Sequence, residues 1–269
     1  MRAYFVLMAL APALVSYVSY AGEQSSPSTQ PSPDPDLANP AMTYHLCLDL
    51  AREQPDKAIE LAGKWVRLGG GEGAKHCQAL ALIGLKEFGE GATRLEALAR
   101  QSRQEPLVRA NMLAQAGQAW VLQGENSRAY AAQSAALKIL PEGSPQKAEI
   151  LLDRAGALAD AGKYDEVLLD IDAALKIVPN SADALAFRAS ANRSKGDIDD
   201  ALKDAERAVA SDDTNLAALL ERGNLYRLKK RLAAARQDWL RILELEPESA
   251  AADSARTNIE RIDVDTRAN

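Results

Sequence analysis

From about residue 41 onward, apolar residues return every three or four positions, the spacing that gives a helix one buried stripe. The stripes come in pairs. In residues 148–181, AEILLDRAGALADAGKYDEVLLDIDAALKIVPNS, Gly162 ends a first run and Pro179 follows a second, which predicts two helices joined by a tight turn. Setting 148–181 against 182–215 and 216–249 shows a repeat at a shift of 34 residues. Leu151, Leu185 and Leu219 coincide, as do Arg154, Arg188 and Arg222, and Asp170, Asp204 and Asp238. Small residues recur at Ala155, Ala189 and Gly223. Gly162 and Gly196 are one period apart, and Pro179 and Pro247 two, with Asp213 between them. Small residues such as Ala155 and Ala174 let two helix axes approach within about 8–10 Å.

This pattern resembles the tetratricopeptide repeat, in which a large apolar residue, a small one, an aromatic, Ala, an aromatic, Ala and Pro are spaced over one unit. Here the places are held by Leu151, Ala155, Leu158, Val167, Ile171, Ala174 and Pro179, then by Leu219, Gly223, Tyr226, Ala235, Trp239, Ile242 and Pro247. Ile242 stands where Ala is usual, and Asn192 where an aromatic is usual. Upstream, LAQAGQAWVLQGENSRAYAAQSAALKILP matches after a shift of 38, with the extra residues in the loop from Pro141 to Gln146. The resemblance implies an all-α fold, a right-handed superhelical solenoid of stacked helix-turn-helix hairpins. Four units are expected within 106–249, at about 110–143, 148–181, 182–215 and 216–249. Two degenerate hairpins are expected over 41–105, a polar-faced capping helix over 250–262 and a tail over 263–269.

The N-terminal residues depart from the helical rhythm. Residues 1–21 carry Arg2, an apolar run from Ala3 and small residues at Ser19 and Ala21, the make-up of a cleaved signal peptide. Residues 22–40, GEQSSPSTQPSPDPDLANP, contain five prolines and almost nothing apolar. Such a stretch cannot offset its ordering entropy, so a flexible tether is expected. The net charge of −6 and pI near 5.2 leave no basic stripe for nucleic acid. With aromatics at 5%, small-residue helix packing is expected in place of an aromatic-lined catalytic cavity.

Four features could carry chemistry. The three Arg/Asp pairs lie sixteen residues apart, one partner on each helix of a hairpin, and their recurrence in every unit reads as a structural ion pair. The stretch GGGEGAKH at 69–76 lacks the Gly before Lys and the Ser or Thr after it that a phosphate loop needs. His45, Cys47, His76 and Cys77 are the only His and Cys residues. On a helix, His45 and Cys47 are separated by about 200°, which argues against a shared metal. Both cysteines fall on first helices of successive hairpins, and in an oxidising setting a Cys47–Cys77 disulfide is favoured over two free thiols. Trp65, Trp120, Trp239 and Tyr226 fall at apolar helix positions and read as core. No catalytic pattern with a supporting context is present, so neither an active site, a cofactor nor a metal is expected.

In the family, first-helix residues line a concave groove. The resemblance places Glu149, Leu152, Gly156 and Asp160 there, then Ala186, Ser190 and Arg193, then Leu220, Asn224 and Arg227. Some members clamp a peptide's terminal carboxylate with Lys, Arg and Asn at two groove positions per unit. Here those positions hold Leu152 and Gly156, Ala186 and Ser190, Leu220 and Asn224, so only Asn224 fits. The expected function is an exported, non-enzymatic scaffold or adaptor for a protein or peptide partner, in a bacterial periplasm. The alternatives are a membrane-anchored adaptor with an uncleaved N-terminal segment, or a binder of an envelope glycan or small ligand.

Overall fold

The computed structural model describes residues 39–268, with side chains as far as Val264. The expected signal peptide and all but the last two residues of the expected tether lie outside the described residues. Helix α1 takes up the last residues assigned to that tether: Asn39 accepts a hydrogen bond from the Met42 amide, and Pro40 opens the helix, where a missing N–H costs nothing.

Thirteen helices follow among the described residues, arranged as six hairpins and a last helix. The hairpins are α1 (Pro40–Glu53) with α2 (Pro55–Arg67), α3 (Gly71–Gly84) with α4 (Phe88–Gln101), and α5 (Pro106–Leu122) with α6 (Asn126–Ile139). They continue as α7 (Pro145–Asp160) with α8 (Tyr164–Ile177), α9 (Ala182–Lys195) with α10 (Ile198–Ser211), and α11 (Leu216–Leu228) with α12 (Leu232–Leu245). α13 (Ala250–Ala268) closes the array and is longer than the capping segment expected at 250–262. No described helix is long and apolar enough to cross a membrane.

Each helix packs on the next in sequence, and first helices also pack directly on each other at α1/α3, α5/α7, α9/α11 and α11/α13. No comparable packing joins the second helices, so the first helices form the tighter, inner side of the stack.

The joints follow from local chemistry. Ser181 and Asn215 cap α9 and α11 by accepting from the Ala184 and Ala218 amides. Gly196 turns the chain after α9 at φ 95°, a left-handed conformation that suits glycine. One period later Lys230 takes the same role at φ 62°, a conformation that is unfavourable for a residue with a Cβ.

Packing inside each hairpin explains the small residues. A Cβ on Gly223 would sit 2.5 Å from the Trp239 indole nitrogen, so only glycine admits that ring, which is fully buried. Trp65 and Trp120 are also core, at 3% and 4% exposure, whereas Tyr226 is half-buried and gives its hydroxyl to Glu206 at 3.3 Å.

Gln133 is the exception. It holds the place that Ile171 and Trp239 hold in later units, is fully buried, and neither amide atom finds a hydrogen-bond partner. An unsatisfied buried amide costs about 1–3 kcal/mol. Gln133→Met, which keeps the unbranched shape against Gly117, is therefore expected to stabilise the fold by about 1–2 kcal/mol in urea melts. A loss of stability would show that the amide is bonded in solution, for instance to a buried water.

Candidate functional site

The three Arg/Asp pairs form as bidentate forks. Arg154 gives Nε and Nη2 to Asp170 at 2.8 and 2.5 Å, Arg188 to Asp204 at 2.8 and 2.8 Å, and Arg222 to Asp238 at 2.9 and 2.6 Å. Two of the guanidinium groups also bond back to the preceding hairpin. Arg154 donates from Nη1 to Ser134 at 3.0 Å and Arg188 to Asp172 at 2.7 Å, while Glu206 stands near Arg222. Arg154 and Arg188 thus tie together their own two helices and the second helix of the previous unit. Its carboxylate partners hold each guanidinium above its ordinary pKa, with the Arg–Asp hydrogen bond the main cause. The backward bond escaped sequence reasoning because its acceptor changes from Ser134 to Asp172.

A second periodic tie was also missed. Lys195 reaches Asp165 at 2.6 Å, and Lys229 reaches Asp199 at 2.5 Å, the same pair one unit later. The period was its signal, because Lys195 and Lys229, like Asp165 and Asp199, are 34 residues apart.

The expected groove residues divide into three groups. Glu149 and Asp160 are exposed, and Leu152, Gly156 and Ser190 are half-buried. At Gly156 a Cβ would meet nothing within 4 Å. This helical glycine serves no packing and leaves a notch on the inner side. Ala186 and Leu220 do not line a surface; they are 3% and 9% exposed within one apolar cluster. They are buried because α9 and α11 pack directly and cover the positions that face one another.

The remaining three are Arg193, Asn224 and Arg227. Arg193 on α9 is forked onto the carboxylate of Glu221 on α11 through Nε and Nη2. Asn224 accepts from Asn258 Nδ2 on α13 at 3.0 Å. Arg227 has no comparable bond, and its Nε is shielded from solvent without a partner.

Asp153, one residue after Leu152 on α7, was not anticipated as a site residue. Gln118 Nε2 on α5 donates to it at 2.9 Å, and no cation pairs with it among the described residues. Burial and the neighbouring Glu149 push its pKa up to about 6, against the smaller lowering effect of Gln118. A carboxylate raised this far by desolvation is a functional candidate.

The folded pKa exceeds the unfolded one, so Asp153 contributes fully below about pH 4, and that contribution is lost as pH rises through about 6. Asp153→Asn is expected to stabilise the protein by on the order of 2 kcal/mol at pH 7.5 and to give no such gain at pH 4. Chemical melts at the two pH values check this. A gain of equal size at both would rule out titration as its origin.

At the N-terminal end, Cys47 on α1 and Cys77 on α3 are joined in a disulfide, fully buried, with Cα atoms 5.9 Å apart. His76 is buried beside it, where its Nδ1 meets the Tyr44 hydroxyl at 2.6 Å and its Nε2 meets Gln115 Oε1 at 2.7 Å. Because that amide oxygen only accepts, Nε2 carries the proton and Nδ1 accepts from Tyr44. Burial lowers the His76 pKa and favours this neutral form. The ring joins α1, α3 and α5 and serves packing. His45 is exposed.

No protein-family model matches the chain, and no curated protein matches it. Solved structures do. PilF of Pseudomonas aeruginosa superposes with a TM-score of 0.63 at 15% identity, over 84% of this chain and 97% of that one. MamA from Desulfovibrio magneticus RS-1, residues 41 to its end, gives a TM-score of 0.53 at 18% identity, over 66% of this chain and 97% of its own. At these identities the likeness speaks for the fold alone. With the 34-residue period and the stacked hairpins, it identifies the chain as a solenoid of the tetratricopeptide-repeat fold.

Proposed function

We propose that the protein is a non-enzymatic adaptor that binds a protein or peptide partner along the inner side formed by its first helices. The observation that carries this reading is the uneven satisfaction of polar groups there. The three Arg/Asp ties are bidentate, whereas among the described residues the inner side holds Asp153 without a counter-cation, Arg227 without a counter-anion, and an open notch at Gly156. Such groups gain when a partner supplies the missing charge in a shielded setting. A long groove between stacked helices accommodates an extended or helical segment.

We also propose that the protein acts after export, in a bacterial periplasm. The apolar segment at residues 3–21 supports this, as does a buried disulfide, which persists in oxidising compartments.

The test is crosslinking in cells followed by purification, comparing wild type with a Glu149→Arg, Gly156→Gln variant whose thermal melt confirms its fold. A partner band lost only from the variant supports the groove. An unchanged set of partners would place the interface elsewhere and sink the reading.

A further inference from the structure

At the C-terminal end of the inner side, one arginine stands without the carboxylate that its counterpart one period earlier has. Arg193 is held by Glu221, which lies on the next first helix. One period on, Arg227 corresponds to Arg193, and the residue corresponding to Glu221 is Ala255 on α13. Ala255 is fully buried and offers no acceptor. Arg227 thus keeps the position of a paired arginine but has lost its carboxylate, and its Nε is the atom left shielded and unbonded.

One helical turn before it stands Asn224, whose Oδ1 accepts from Asn258, leaving its own Nδ2 to donate. Two sets of donors therefore share one stretch of α11, and no carboxylate is bonded to either.

We propose that Arg227, assisted by Asn224, binds the side-chain carboxylate of an Asp or Glu in a peptide lying along the groove; this rests on the groove reading above. The chemistry follows from the neighbouring unit. Arg193 presents its Nε–Nη2 edge to both oxygens of one carboxylate, and a planar two-oxygen group is what such an edge matches. A rotamer change in the long Arg227 side chain turns its edge toward the groove. The acceptor then relieves the desolvation cost of the orphaned N–H. In this site the ligand's carboxylate plays for Arg227 the part that Glu221 plays for Arg193.

The experiment screens the full-length protein against a bead library of N-acetylated, C-amidated dodecapeptides, in which side chains are the only source of carboxylate. The expected binders carry Asp or Glu at a fixed position. Changing that residue to its amide, or Arg227→Gln in the protein, weakens binding about tenfold. The two changes together weaken it no further, as a double-mutant cycle requires of groups that touch. Arg227→Gln should melt like wild type because it breaks no ion pair, whereas Arg193→Gln should lose stability.

Binders without acidic preference, or losses that simply add, would overturn the Arg227 assignment and leave the groove standing. Acid-dependent binders found only in a parallel library with free C-termini would overturn the side-chain assignment in favour of a terminal carboxylate. No binder from either library, together with unchanged cellular partners in the groove variant, would overturn the groove reading itself.

Discussion

Arg188→Ala is expected to lower the free energy of unfolding by about 3 kcal/mol, a large effect for a single truncation. The variant strands Asp204, whose side chain is 9% exposed and which receives both arms of the fork. It also removes the donor that Asp172 on α8 uses, so the hairpin α9/α10 loosens from α7/α8 as well as within itself. Arg188→Lys separates these effects. It keeps the charge but cannot form the two parallel bonds, so it should recover part of the loss. Urea melts of both variants read the difference. If Arg188→Ala cost under about 1 kcal/mol, the arginine would be an exposed-type ion pair of little worth, and its recurrence would need a reason other than stability.

Removing the disulfide should cost at least as much. Replacing Cys47 and Cys77 with Ala opens a loop of thirty residues, for which the chain-entropy model gives about 3–4 kcal/mol. The effect should be local. Stacked hairpins touch only their neighbours, so the double variant should lose hydrogen-exchange protection over α1 to α3 while α9 to α12 stay protected. Reducing agent should mimic the variant under conditions that open the buried bond. Uniform loss of protection along all thirteen helices would instead mean that the array unfolds as a single unit.

The sequence carried the architecture wherever one unit could be compared with another. The last three units were readable because Leu151, Leu185 and Leu219 and the three arginines occupy equivalent places. Upstream the register blurs for a physical reason. Gln133 stands in a core slot as a polar residue, and α5 runs to seventeen residues, longer than the first helix of any other hairpin.

The candidate site was harder to read. Ala186 and Leu220 have the spacing of a groove face, but how much of that face survives depends on how closely α9 and α11 pack, and no single helix records this. Asp153 looked unremarkable because its raised pKa comes from burial and from Glu149, not from a motif. The state of Arg227 could be found only by asking what occupies residue 255, where an Ala stands in place of a Glu.

The disulfide described at the first two hairpins also bears on how the molecule would yield to a pulling force. Stretched from its ends, a stack of this kind gives way hairpin by hairpin, each releasing on the order of 100 Å of extended chain. The residues between Cys47 and Cys77 take no part in that lengthening. The chain is therefore inextensible over one segment near its N-terminal end, and any tether attached there transmits load directly to α3 and the hairpins beyond it.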